Sequence, residues 1–238
     1  MKYTLSEKYE KKFIKENIMG PNPIKLAEEL LVLSPLRRNS IVLDLGCGRG
    51  VTSVFLAKEY GVRVVAADLW VDPEDNRKRF YQMNFGERQI VPIKADAHQL
   101  NFPKEYFDAV VSIDSYHYFG LDKWYLDKKL LPFVKHGGYL FIAVPGLKKD
   151  IHDNIPPEMF LSWSAEDLST LHDIRYWKNI LSSSFDAEII SICEMGSFDE
   201  CWNDWLECDN EYAVNDRKAM EAGAGKYMNF IGIILRRK

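Results

Sequence analysis

A turn with three alternating glycines constrains this chain more than any other stretch. It reads Asp44-Leu45-Gly46-Cys47-Gly48-Arg49-Gly50. The apolar residues 41–45 are typical of a buried strand in a parallel sheet, and residues 51–57 carry apolar side chains on one helical face. Glycine is required where the backbone takes dihedral angles that other residues avoid, and where a ligand contacts main chain that a Cβ would block. The sequence therefore predicts a ligand-binding turn that joins a strand to a helix.

The spacing of these glycines differs from that of NAD-binding proteins. The dinucleotide fingerprint spaces its glycines as G-x-G-x-x-G, whereas here Val51 occupies the position of the third glycine and Gly50 comes one residue earlier. A nucleotide-like ligand fits such a turn, but the pattern disfavours an NAD-linked oxidoreductase.

Further apolar stretches follow at the intervals expected of a parallel α/β sheet. The second stretch ends in Asp68, about 20 residues past the glycines, where a carboxylate accepts the ribose hydroxyls of a nucleotide. Four predicted strands are residues 41–45, 64–67, 90–93 and 106–113, and residues 130–144 are expected to form a helix, a turn at Gly137-Gly138 and the fifth strand.

These motifs, in this order, cover residues 41–146 and resemble those of the class I S-adenosylmethionine-dependent methyltransferases. The first motif of that family is an acidic residue followed by x-Gly-x-Gly-x-Gly, and residues 44–50 match it completely. The resemblance implies an α/β fold with a seven-stranded, Rossmann-like sheet. That sheet is expected to be mostly parallel, with an antiparallel last strand and with helices on both faces.

The same resemblance implies S-adenosylmethionine as the cofactor and assigns residues to it. The glycines would approach its methionine part, Asp68 would hold the ribose, and the segment at Asp96 and Ala97 would face the adenine. Leu69 or Trp70 would cover the adenine ring. The implied cofactor-binding residues are Asp44, Gly46, Cys47, Gly48, Gly50, Asp68, Leu69, Trp70, Asp96, Ala97 and Asp114.

A carboxylate, an imidazole and three aromatic rings follow the fourth strand, where the carboxyl ends of parallel strands face ligands. They lie in the run Asp114-Ser115-Tyr116-His117-Tyr118-Phe119. His117 is the residue here whose ordinary pKa lies near neutrality, so we predict that it acts in catalysis, with Tyr116, or orients the substrate. Tyr118 is predicted to contact the substrate. A histidine beside two tyrosines equally well packs in a core and bonds to backbone, and both interpretations remain open.

Two helices are predicted before the first strand. One covers about residues 6–19 and ends before Pro21, and the other covers about residues 23–33. Both pack over the sheet in one interpretation. In the other, the first helix is a lid, and the loop after it, with Asn22, faces the ligand and contributes to the substrate site.

An aromatic stripe lies between the last two predicted strands, residues 187–192 and 227–235. Its members recur at spacings of three and four residues, which predicts one continuous helix. They are Phe198, Cys201, Trp202, Trp205, Cys208 and Tyr212. Such a stripe forms either core or one wall of a substrate pocket, and in the second case Trp202 and Trp205 would contact the substrate.

Length and composition predict one large domain. The chain has 238 residues, 47% of them hydrophobic, which suffices for a full α/β core. We expect a single methyltransferase domain over residues 1–238. Its predicted parts are N-terminal helices in 1–36, a cofactor-binding core in 37–146, and the rest of the sheet in 147–238 with a helical insertion near 198–222.

Charge and cysteine content narrow the possible partners. The formal net charge of −4 argues against nucleic acid as a partner, because nucleic-acid binders usually carry a basic face. No apolar stretch approaches the roughly 20 residues that span a bilayer, and we expect a cytoplasmic protein without a membrane partner. The four cysteines include no C-x-x-C pair, so we expect free thiols and no metal site.

Two hypotheses on function follow. Methyl transfer from a sulfonium chiefly needs alignment and exclusion of water, so it requires no catalytic triad. The favoured hypothesis is S-adenosylmethionine-dependent methylation of a small-molecule acceptor, similar to the ubiquinone/menaquinone-methyltransferase-like group. The alternative is a protein that binds the cofactor without transferring a methyl group and that either senses S-adenosylmethionine or serves a partner protein. Turnover distinguishes the two.

Overall fold

A computed structural model describes residues 3–33 and 36–238, and these contain one mixed β-sheet. The strands run in the order β3-β2-β1-β4-β5-β8-β7, and β6 pairs with β5 beside this path. All pairs are parallel except those that β8 makes with β5 and β7. The strands are β1 Ile41–Leu45, β2 Arg63–Asp68, β3 Ile90–Lys94, β4 Phe107–Ile113, β5 Val134–Leu147, β6 His172–Asp173, β7 Ala187–Glu194 and β8 Met228–Arg237. The predicted fold is confirmed, with the short β6 as an addition.

Eight α-helices surround the sheet in the described residues. They are α1 Lys11–Asn17, α2 Pro23–Leu33, α3 Val51–Tyr60, α4 Pro73–Gln82, α5 Ala165–Ser169, α6 Ile174–Leu181, α7 Phe198–Leu206 and α8 Glu211–Glu221. Alternate residues of β8 show the two buried layers: Phe230 belongs to the layer that contains residues of α2, α3 and α7, whereas Ile231 belongs to the layer of Trp177 on α6. Helices therefore cover both faces, as predicted.

The sheet order creates a crevice at the carboxyl ends of the central strands. β1 lies between β2 and β4, so the chain crosses to one side of β1 through α3 and to the other side later in the sequence. Ligands of open α/β sheets bind where the strand order reverses in this way. The glycine turn follows β1 directly and so lies at this edge.

The aromatic stripe does not form one continuous helix, which corrects the sequence prediction. α7 ends at Leu206 and α8 begins at Glu211. The break has a local cause, because the side chain of Asn210 accepts a hydrogen bond from the Ala213 N–H at 2.9 Å and so caps α8. Tyr212, the last member of the predicted stripe, is 69% exposed.

The N-terminal prediction is confirmed in part. α2 spans Pro23–Leu33 as expected, whereas the helix expected over residues 6–19 is a 3₁₀ turn at Ser6–Lys8 followed by the shorter α1. Within the described residues, no helix combines the length and the apolar character that crossing a membrane requires.

Candidate functional site

A cavity of about 350 Å³ opens at the carboxyl ends of β1, β2 and β4. One wall consists of the glycine turn and the segments that follow the other strands. The opposite wall consists of residues 17–21, which precede α2. We call residues 3–22, which carry this second wall, the covering segment. The predicted site residues that line the cavity are Gly46, Cys47, Gly48, Asp68, Leu69, Trp70, Asp96, Ala97, Asp114 and Tyr118.

The glycine turn has a backbone that only glycine adopts easily. Gly46, Gly48 and Gly50 have φ angles of +77°, +53° and +78°. A Cβ on Gly46 would lie 2.4 Å from the Ser115 side chain, and one on Gly50 would lie 2.4 Å from the Phe80 ring. The turn therefore needs glycine both for its dihedral angles and for close packing.

Two serines that the sequence analysis missed hold the turn against β4. The hydroxyls of Ser112 and Ser115 donate to the Leu45 carbonyl at 3.0 and 2.9 Å, and their oxygens lie 2.7 Å apart. No local pattern indicates them, because they reach Leu45 only once β1 and β4 pair. These bonds fix the end of β1 against β4 at the cavity edge.

Asp44 lies beneath the turn and does not border the cavity. Its carboxylate accepts a hydrogen bond from the Ser53 hydroxyl of α3 at 2.6 Å. Burial raises the pKa of Asp44 to about 7, the Ser53 bond opposes this rise, and the nearby Asp68 adds to it. The position of Asp44 therefore indicates that it ties α3 to β1 beneath the glycines.

Asp68 is the carboxylate at the floor of the cavity. One oxygen accepts the Gly48 N–H at 2.8 Å, and the other accepts the N–H groups of Trp70 and Val71 at 2.8 and 2.9 Å. Backbone donors therefore hold the side chain in place and connect the end of β2 to the glycine turn. The Asn76 amide supports the same turn from α4, since it donates to the Gly48 carbonyl at 2.8 Å.

The far end of the cavity is formed by the segment after β3 and by two aromatic rings. Asp96 caps a short turn, where its carboxylate accepts the His98 N–H at 2.8 Å. The hydroxyl of Tyr125 donates to the Ala97 carbonyl at 3.1 Å. The Trp70 and Tyr118 rings meet edge to face with centroids 5.7 Å apart. This end offers flat apolar surface beside one carboxylate.

Asp114 has an unusual backbone and an unpaired side chain. Its φ angle is +55°, held by a hydrogen bond from its N–H to the Ala143 carbonyl at 2.8 Å. No group in residues 3–33 or 36–238 hydrogen-bonds its carboxylate, which lies so close to Gly20 that a Cβ there would be 2.3 Å from an oxygen. Burial raises the pKa of Asp114 to about 7, and Asp216 contributes. A strained residue that carries a free carboxylate at a cavity wall is typical of a functional position.

His117 and Tyr116 do not border the cavity, contrary to the sequence prediction. The 3₁₀ turn over Tyr116–Tyr118 presents Tyr118 to the cavity, whereas Tyr116 packs near Tyr125 and Trp177 in the core. His117 is 3% exposed, and its Nδ1 has no hydrogen-bond partner in the described part of the chain. Burial lowers the pKa of His117 to about 3, which keeps the ring neutral. Their place in the structure favours packing over catalysis.

Asn22 and the two tryptophans also lie outside the cavity lining. Asn22 begins α2, where its amide oxygen accepts the Ile24 N–H at 3.0 Å and its amide nitrogen donates to Asp204 at 2.7 Å. Trp205 is 1% exposed and donates to Asp216 at 2.9 Å, and Trp202 is buried beside it. These side chains face the sheet layer rather than the cavity, which corrects the expectation that they border the pocket.

Residues 17–21 of the covering segment were not predicted as site residues, although the lid interpretation pointed to this region. The Met19 sulfur lies so near the turn that a Cβ on Gly48 would be 3.1 Å from it.

Among residues 3–33 and 36–238, no group of three His, Cys, Asp or Glu side chains is arranged to hold a metal ion. The four cysteines are free thiols.

Comparisons with known proteins agree with this geometry. A family model described as a methyltransferase domain matches residues 42–138. The 27-O-demethylrifamycin SV methyltransferase of Amycolatopsis mediterranei (strain S699) is 29% identical over 134 residues, which are 53% of this chain and 48% of that protein. The 2-methyl-6-phytyl-1,4-hydroquinone methyltransferase of Synechocystis sp. is 35% identical over 111 residues, which are 47% of this chain and 34% of that protein. The chain thus spans about half or less of the length of these two relatives.

A solved structure shows the same fold. Phosphoethanolamine N-methyltransferase 2 of Haemonchus contortus, in complex with S-adenosyl-L-methionine, superposes with a TM-score of 0.71 at 18% identity. The match covers 97% of this chain and 58% of that chain. Residues 42–138 thus match a methyltransferase domain, and motif order, sheet topology and these similarities together support a class I S-adenosylmethionine-dependent methyltransferase.

Proposed function

We propose that this protein binds S-adenosylmethionine in the 350 Å³ cavity and catalyses transfer of its methyl group to a small-molecule acceptor. One observation carries the proposal. Gly46, Gly48 and Asp68 line one cradle at the point where the strand order reverses, and a Cβ on Gly46 would collide with the Ser115 side chain in its wall. The relatives that the chain resembles, an O-methyltransferase of a rifamycin and a hydroquinone methyltransferase, support the same reaction class.

The residues of the cavity fit the parts of this cofactor. Backbone at Gly46 and Gly48 is open to the methionine part, the Asp68 carboxylate suits the ribose hydroxyls, and Asp96 suits the amino group of an adenine. The cofactor supplies a methyl group activated by a positively charged sulfur. Residues 17–21 cover the cavity and so exclude water from the site of transfer.

Asp114 is the residue we assign to the acceptor, although the sequence resemblance had placed it with the cofactor. It lines the same cavity as Gly46, Gly48 and Tyr118, and no group in the described residues hydrogen-bonds its carboxylate. A carboxylate beside an aromatic ring suits a cationic group, as in an acceptor with a protonatable nitrogen. The Haemonchus contortus neighbour is by its name an N-methyltransferase of phosphoethanolamine, which is consistent with an amine.

The raised pKa of Asp114 suits it to proton transfer as well as binding. A protonated amine has no lone pair for the methyl group, so its proton must leave before or during transfer. A carboxylate whose pKa is near 7 accepts such a proton at neutral pH more readily than one at the ordinary value of 3.8. Asp114 would thus hold the acceptor nitrogen and receive its proton.

The test is a turnover screen with S-adenosylmethionine labelled in the methyl group, offered with amines and with a metabolite extract. We expect label in a small molecule, and we expect Asp114→Asn to lower that turnover by about 100-fold with cofactor affinity preserved. Asp153→Asn, an exposed carboxylate outside the cavity lining, is the matched control. Cofactor binding without any labelled product would favour the non-catalytic alternative, and equal turnover of the two variants would remove Asp114 from the acceptor site.

A further inference from the structure

The covering segment is fastened to α2 at both of its ends. At the near end, the Asn22 amide oxygen caps α2 and the Asn22 N–H donates to the Cys201 carbonyl of α7 at 3.1 Å. At the far end, residues 5 and 6 bind Glu28, which lies one and a half turns along α2. Both fixed points of the covering segment therefore lie on one helix, and we call the segment between them the flap.

Glu28 makes the far attachment through three hydrogen bonds to one carboxylate. It accepts the N–H groups of Leu5 and Ser6 at 2.9 and 2.8 Å, and the Ser6 hydroxyl at 2.7 Å. The residue is 3% exposed, and no lysine or arginine in the described ranges forms a salt bridge with it. A buried carboxylate without a cation is costly unless donors satisfy it, so these donors and Glu28 depend on each other.

Exposed polar contacts, weaker than the buried bonds to Glu28, join the middle of the flap to the glycine turn and to the residue after α7. The Arg49 side chain donates to the Glu16 carbonyl at 3.0 Å, and Lys15 forms an exposed ion pair with Glu207 at 3.0 Å. Exposed contacts of this kind contribute little to stability. Apolar packing of Ile14 and Ile18 completes the attachment. The position of residues 17–21 over the cavity therefore depends on the two fixed ends of the segment and on the packing of Ile18.

We propose that Glu28 is a positioning residue for the cofactor site: by fixing residues 5 and 6 to α2, it sets the closed position of residues 17–21 over the cavity. The Glu28 carboxylate itself lines no part of that cavity. The inference rests on the proposed function only for the identity of the ligand beneath the flap. The attachment of the flap to α2 is inferred from hydrogen bonds within the protein and does not depend on which ligand binds.

The test compares Glu28→Gln with Glu29→Gln, its neighbour on α2. Glu29 also accepts two backbone N–H groups, those of Gly196 and Ser197 at 2.7 and 3.0 Å, but these precede α7 rather than the flap. Amide hydrogen exchange of the free proteins and titration with S-adenosylmethionine are measured for both. Ser6→Ala removes one of the three donors to Glu28, so its effect should lie between those of wild type and Glu28→Gln.

We expect Glu28→Gln to accelerate exchange across residues 5–18 and to weaken cofactor binding about tenfold. Ser6→Ala should weaken it about threefold, and Glu29→Gln should change neither the flap exchange nor the affinity. Faster exchange throughout the sheet, or faster flap exchange with unchanged cofactor affinity, would overturn the proposal. If wild-type protein fails to bind the cofactor, the proposed function fails, while localised flap exchange in Glu28→Gln alone would still support the attachment.

Discussion

The glycine turn after β1 and the helix α7 both carry conspicuous residues, glycines in one and tryptophans in the other, and the fold uses them differently. All three glycines have left-handed backbone angles; Gly46 and Gly48 line the cavity, whereas Gly50, also predicted to bind the cofactor, packs against Phe80 instead. Trp202 and Trp205 face the sheet and lie outside the cavity lining. A glycine spacing specifies local backbone geometry, and a strand before it specifies its place at the sheet edge. An aromatic stripe specifies only that a helix is buried, and not whether core or ligand covers it.

Replacing Trp205 with alanine should have the largest effect and should separate these two regions. We expect the free energy of unfolding to fall by roughly 3–5 kcal/mol, because a large buried ring and its hydrogen bond to Asp216 are lost. Cofactor affinity of the folded fraction should not change. Chemical denaturation and cofactor titration measure the two quantities.

The control for Trp205→Ala is Tyr212→Ala on α8, where the ring is 69% exposed. This change should alter stability by no more than about 0.5 kcal/mol. If Trp205→Ala instead kept full stability and lost turnover, α7 would border the acceptor and the contrast with the glycine turn would fail.

His117 gives a prediction of intermediate size that tests whether it is core or catalyst. Its folded pKa is about 3 against an ordinary value of 6.5, so the unfolded chain binds the extra proton between these values. Stability from the neutral ring is therefore complete above pH 6.5 and is lost as the pH falls towards 3. Between pH 7 and pH 5 this loss amounts to about 2 kcal/mol.

The variant His117→Gln, which does not titrate, should lack this part of the pH dependence. Asp44 and Asp114 have raised pKa values and act in the opposite direction, but they are present in both proteins and cancel in the comparison. Urea denaturation at the two pH values measures the difference. Equal pH slopes in the two proteins, with turnover abolished in the variant, would return His117 to a catalytic role.

Gly48→Ala should have the smallest effect on stability and should sharpen the account of the turn. A residue with a Cβ at φ +53° costs about 1–2 kcal/mol, and the Cβ would lie 3.1 Å from the Met19 sulfur of the covering segment. We therefore expect a modest loss of stability together with weaker cofactor binding. Gly86→Ala, where a Cβ meets no atom within 4 Å, is the control and should stay within about 0.5 kcal/mol.

The parallel sheet, and the edge of it that carries the proposed cofactor site, were predictable because the sequence patterns that indicate them are local. Apolar runs that end in Leu45 and Asp68 define parallel strands, and their carboxyl ends meet at one edge whatever the rest of the chain does. The serines behind the turn and the unpaired state of the Asp114 carboxylate were not predictable, since both depend on contacts between β1, β4 and the covering segment.

The errors arose where tertiary packing decides. A stripe of spacing three and four continues across Asn210, but Asn210 prefers to cap a helix, and its side chain starts α8 instead. The direction of His117 depends on a single 3₁₀ turn after the strained Asp114. Residue spacing does not indicate whether a side chain in such a turn faces the core or the cavity. That direction is determined by the residues packed around the turn.

The measurement that tests the central claim most directly is calorimetric titration of the protein with S-adenosylmethionine, its demethylated product and NAD. The glycine spacing and Asp68 predict heat from the first two and none from NAD. Asp68→Ala should weaken binding about tenfold or more with the fold intact, because hydrogen bonds to a charged group are lost. Micromolar binding of NAD with no heat from S-adenosylmethionine would contradict the account, and an unchanged affinity in Asp68→Ala would place the ribose contact elsewhere.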